Sequence, residues 1–114
     1  MFSSDFFGQF IPKDNAALNY NQIMFEFPYV ENAKCYTLFI TYDSIISPTK
    51  KDFILKVKEK FPVTLVQGLK LGKQYKWYVE TTLKSGKTTS SEYHYFSILN
   101  TKMANPKLYK PVQR

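Results

Sequence analysis

A chain of 114 residues has room for one hydrophobic core and not for two. Its single cysteine, Cys35, excludes an intrachain disulfide, so packing alone must hold the fold. The net charge of +7 rests on 16 basic side chains, of which only Arg114 is arginine. Lysine lacks the planar fork that reads phosphates and guanine edges, so this charge is first of all a solvated surface.

Aromatic residues make up 18% of the chain, a load of the types that favour pleated, half-buried surfaces, and this points to an all-β fold. Residues 1–9 carry Phe2, Phe6 and Phe7 without a basic n-region or a continuous apolar stretch, so they do not read as a signal peptide. No apolar run reaches the length of about 18 residues that a membrane span needs. Phe10 and Ile11 are expected to pack as a first strand, with the domain running from residue 10 to 99.

The stretch Ile23-Met24-Phe25-Glu26-Phe27 alternates with period two and places Ile23, Phe25 and Phe27 on one face, up to Pro28. Cys35 to Thr41 forms the next strand, with Tyr36, Leu38 and Ile40 inward and Cys35 expected as a small buried hydrophobe. Phe53, Leu55 and Val57 alternate with Lys56, Lys58 and Lys60, the pattern of an edge strand whose lysines discourage pairing with a second molecule. Val63 to Leu69 is a strand closing on a glycine turn. Tyr75, Trp77 and Val79 then face one way while Lys76, Tyr78 and Glu80 face the other. Ser85-Gly86-Lys87 reads as a hairpin turn into a last strand over residues 92–98 that includes Phe96, and residues 100–114 read as a tail or linker.

The order Phe27, Tyr36, then Leu69-x-Leu71-Gly72-x-x-Tyr75-x-Trp77-x-Val79, and the closing Tyr95-Phe96, resembles a fibronectin type III domain. The resemblance covers roughly residues 10–99. It implies a two-sheet antiparallel immunoglobulin-like sandwich of about seven strands, in which Tyr75 pins the corner between sheets. It also implies that the large aromatic on the second strand, here Phe27 in place of the usual tryptophan, packs under that tyrosine. Leu69 and Tyr75 match the corner directly, whereas Leu71 stands where proline is common and Lys73 where threonine is common. The stretch between Tyr42 and Val63 is longer and richer in lysine than a minimal repeat, and no Arg-Gly-Asp tripeptide occurs.

The chemistry-bearing residues are sparse. One histidine and one cysteine on different strands do not make a metal site, and His94 beside Ser90, Ser91 and Glu92 does not assemble a triad, since alternation turns neighbours to opposite faces. His94 is expected as a half-exposed strand residue. No catalytic residue, cofactor or metal is expected. The leading reading is a non-catalytic interaction or spacer module of a larger protein, secreted or displayed at the cell surface, with neighbouring domains or another protein as partners. The lysine-rich, arginine-poor composition matches an AT-rich bacterial source. Two further readings draw on outward tyrosines. Tyr78, Tyr93 and Tyr95 would stack on a polysaccharide, or the same rings with Tyr36, Tyr42 and the lysines would bind single-stranded nucleic acid, the weaker of the two.

Overall fold

The computed structural model describes residues 9–19 and 22–100. The aromatic segment 1–8 and the tail from Thr101 onward lie outside the described residues. Eight strands occur among those described: β1 (Ala16–Leu18), β2 (Gln22–Glu26), β3 (Ala33–Tyr42), β4 (Leu55–Glu59), β5 (Val63–Gln67), β6 (Lys73–Leu83), β7 (Thr88–Ser90) and β8 (His94–Ile98). A small sheet holds β2 and β5. A large sheet runs β1-β8-β6-β3-β4, with β7 also paired to β6.

Period-two alternation accounts for the layers. The strand β2 alternates exposed and buried residues over Gln22–Glu26, and β5 does the same over Val63–Gln67, so each turns one face to the other sheet. The buried set comprises Ile23, Phe25, Phe27, Tyr36, Leu38, Ile40, Leu69, Tyr75, Trp77, Val79 and Phe96, completed by Val66 and Ile98. Aromatic rings organise its centre: Phe25 meets Trp77 edge-on at 5.0 Å between centroids and Phe96 at 5.7 Å.

Tyr75 occupies the corner. Its hydroxyl donates to the carbonyl of Lys70 at 2.9 Å, so the loop before β6 is tied to the core by a group that would otherwise be buried without a partner. Gly68 and Gly72, on either side of Leu69, take φ of +87° and +76°, a region in which a Cβ is strained.

Several expectations are corrected by the structure. Phe27 does not lie beneath Tyr75. It packs on Tyr36 at 5.5 Å, while the rings against Tyr75 are Phe96 at 5.2 Å and Tyr42 at 5.4 Å. The reason is distance along the strand: Tyr42 pairs with Tyr75 but Tyr36 pairs with Thr81. Six residues at about 3.3 Å each put Phe27 and Tyr36 at the far end of the sandwich, about 20 Å away. Tyr36 there makes a second hydroxyl contact, accepting the Val30 N–H at 2.9 Å and fixing the connection between β2 and β3.

The sandwich is not wholly antiparallel, because β1 pairs with β8 in parallel register, Ala16 with Phe96 through Leu18 with Ile98. The first strand therefore serves both layers. Ile11 bridges to Glu26 of the small sheet, and five residues later the chain joins the large one. The last strand is broken at residues 91–93 into β7 and β8, both paired with β6. Ser91 spans the break: its N–H donates to the Val79 carbonyl at 2.9 Å and its hydroxyl oxygen accepts the Val79 N–H at 3.0 Å. Cys35 is half-buried rather than buried, since alternation from Tyr36 turns it to the outer face of the large sheet.

Candidate interaction surface

The outer face of the large sheet is built by the residues that alternate with the core. Phe39 of β3 stands opposite Tyr78 of β6 and opposite Lys56 of β4, and Lys76 of β6 stands opposite Thr41 and Tyr95. Directly opposite residues share a face, so these side chains form a continuous outer layer. Across it runs a stripe of rings. Phe53 meets Phe39 at 5.3 Å, Phe39 stacks on Tyr78 at 4.8 Å with the planes 10° apart, and Tyr78 meets Tyr93 edge-on at 5.3 Å.

Two lysines cover this stripe from above. The Lys56 ammonium lies 5.5 Å from the Phe39 centroid and that of Lys76 4.8 Å from the Tyr93 centroid. Lys76 is 6% exposed, so most of its stem lies in the aromatic layer. Burial raises the Tyr78 phenol, with Tyr93 and Glu80 adding to the effect. Burial likewise raises that of Tyr93, helped by Tyr95.

Tyr78 and Tyr93, two of the residues proposed from alternation, are thus in contact. Tyr95 lies on the same face along β8, its N–H held by the Asp14 carboxylate at 2.8 Å. The wider tyrosine set is split, because Tyr36 is in the core and Tyr42 stacks inward on Tyr75. Phe39 and Phe53 were missed. Phe39 carried a signal, as the outward residue between Leu38 and Ile40. Phe53 did not: alternation put it beside Leu55, but the 3-10 turn Lys50–Asp52 precedes it, the strand begins only at Leu55, and its ring falls on the outer face.

His94 faces the interior opposite Trp77. Its ring stacks on Phe10 at 4.1 Å and lies 5.3 Å from the indole, and neither His94 Nε2 nor Trp77 Nε1 has a hydrogen-bond partner among the described residues. Burial lowers the imidazole below its ordinary 6.5, outweighing Asp14 and Glu92, which act in the opposite sense. The folded state therefore favours neutral His94, and this contribution to stability is complete above 6.5 and lost as pH falls through the lowered folded value. Melting temperature should accordingly fall more steeply below pH 6.5 in the wild type than in His94→Phe. Parallel pH profiles of the two would contradict this role. Among the described residues no three of His, Cys, Asp and Glu come together as a metal site requires, and no helix is long and apolar enough to cross a membrane.

No protein-family model matches the sequence, and no curated protein sequence matches it. Solved structures do. The fn3 domain of the human collagen alpha-1(XX) chain superposes with a TM-score of 0.60 at 16% identity, over 92% of this chain and 97% of that one. The chain has the fibronectin type III fold. A second fibronectin type III neighbour is the twitchin kinase region from C. elegans, at a TM-score of 0.55 and 15% identity over 84% of this chain. The match takes up 18% of the twitchin chain, which also contains a kinase and an immunoglobulin domain. At these identities the likeness is one of fold, and the fibronectin type III scaffold leaves its surface free to vary.

Proposed function

We propose that this fibronectin type III domain is a non-catalytic interaction or spacer module of a larger protein, secreted or at the cell surface, and that it meets a protein partner through the outer face of its large sheet. The partner is a neighbouring domain or a separate chain. The observation that carries this reading is the use of the ring faces. Phe39 and Tyr78 are stacked on each other, and Lys56 and Lys76 lie over Phe39 and Tyr93. A sugar or a base needs an open ring face to stack on. Here the stripe offers edges, hydroxyls and lysine stems, a mixed surface of the kind that protein interfaces bury.

The rings are also held by one another before any partner arrives, so docking costs little side-chain freedom. Neither neighbour lends support to a polysaccharide ligand or to a bacterial source, one being human and the other nematode. A photo-reactive phenylalanine analogue in place of Tyr93, in the parent protein in its own cell, tests the reading. It should form one peptide adduct, lost in Phe39→Ser, whereas the analogue at Gln67 on the small sheet should form none. Adducts to glycan or nucleic acid, or equal yields at both positions, would overturn it.

A further inference from the structure

The edge of the large sheet carries chemistry that the aromatic stripe uses only at Lys56, whose ammonium lies over Phe39. The strand β4 is the last in the sheet order, so its far side presents backbone amides and carbonyls to which no strand is bonded among the described residues. Its two faces differ. Leu55 and Val57 point inward and are only half-buried, while Lys56 and Lys58 point outward and are exposed.

Lys56 and Lys58 are about 7 Å apart along the strand, the spacing of alternate residues on a strand laid beside it. The carboxylates nearest in sequence are engaged elsewhere: Asp52 accepts the Thr49 N–H at 2.7 Å, and Glu59 accepts the Thr64 hydroxyl at 2.6 Å. The edge thus carries two exposed cationic groups without a neighbouring free carboxylate on one face, Lys58 and the Lys56 that also lies over Phe39, and incompletely covered apolar groups on the other.

We propose that β4 takes up an extended segment of a partner protein, one alternating acidic and apolar residues, as an added strand of the large sheet. The acidic side chains lie with Lys56 and Lys58. The apolar ones cover Leu55 and Val57, and main-chain hydrogen bonds supply affinity independent of sequence. A second copy of this chain is excluded by the same lysines, since pairing β4 with itself sets lysine against lysine. A sulfated polysaccharide or a nucleic acid would meet the charge but would bond none of the backbone and leave Leu55 and Val57 uncovered. The inference deepens the interaction-module reading and rests on it, but it concerns the edge rather than the face.

The test is a titration of the isotope-labelled chain with a short blocked peptide alternating glutamate and valine, followed by amide NMR and hydrogen exchange. Shifts and slowed exchange should centre on Leu55–Glu59, and the charge-reversed pair Lys56→Glu, Lys58→Glu should weaken binding about tenfold or more. The same variant should instead bind a lysine–valine peptide. A peptide N-methylated along its pairing edge should not bind. Equal binding by that peptide, equal binding by one with its glutamates in a single block, or unmoved amides at Leu55–Glu59 would each overturn the proposal. So would a heparin fragment or oligothymidine that shifts these amides as strongly as the peptide does. Because the titration reads β4 and the photo-adduct reads Tyr93, either result can fail without the other.

Discussion

Trp77→Ala should lower the stability of this domain by about 3–5 kcal/mol. Trp77 is wholly buried, and its indole is the ring on which Phe25 at 5.0 Å, His94 at 5.3 Å and Phe10 at 5.9 Å converge. Removing it opens a cavity bounded by β2, β8 and the chain before β1, three segments that cannot all move in to fill it. For a domain of this size such a loss is on the order of 20 °C in melting temperature, a large part of a typical total stability. Trp77→Phe should cost less, since the indole N–H has no hydrogen-bond partner among the described residues to lose. Urea unfolding followed by far-ultraviolet circular dichroism measures both, because the substitutions remove the only tryptophan fluorophore. A Trp77→Ala melt that overlays the wild type would remove this residue from the centre of the core.

At the corner, the expected result is a split between two substitutions. Tyr75→Phe keeps the ring on Phe96 and Tyr42 but leaves the Lys70 carbonyl without its donor, a loss of about 1 kcal/mol. Tyr75→Ala removes ring and hydroxyl together and should cost about 3–5 kcal/mol. If the two variants unfold at the same urea concentration, the hydroxyl rather than the ring holds the corner. A second readout follows from charge. Burial, and Tyr42 beside it, raise the Tyr75 phenol above its ordinary 10.0. The folded state favours the neutral phenol, so this contribution is complete below pH 10.0 and lost as pH rises through the higher folded value. Tyr75→Phe should therefore lose less stability than the wild type at strongly alkaline pH.

The parts of the fold that were legible in the sequence are those that obey a short repeat. Alternation through Ile23-x-Phe25, Tyr36-x-Leu38-x-Ile40 and Tyr75-x-Trp77-x-Val79 needs no knowledge of distant segments, and every one of these residues is buried. What lay hidden depends on pairing between segments far apart in the chain. The parallel register of β1 on β8 spans about eighty residues and leaves no local trace, and Ala16–Leu18 has no pattern of its own. The break at residues 91–93 is likewise invisible locally, because it is a serine hydroxyl reaching Val79 that makes it tolerable. The same limit shaped the view of the surface. Tyr78 and Tyr93 could be placed outward from alternation, but the stacking of Phe39 on Tyr78 follows from the register of β3 against β6, and the place of Phe53 from a turn ahead of its strand.

The route of the first strand has a mechanical side. Entering beside Glu26 and then lying parallel to β8, it sets the first and last strands side by side with the same polarity, the chain entering at one end of the pair and leaving at the other. Tension applied at the two ends would pull those strands past each other along their length, so the hydrogen bonds joining Ala16–Leu18 to Phe96–Ile98 would be loaded together in shear instead of being peeled open one by one. Stretched from its two ends, the fold resists first along the line where these two strands meet.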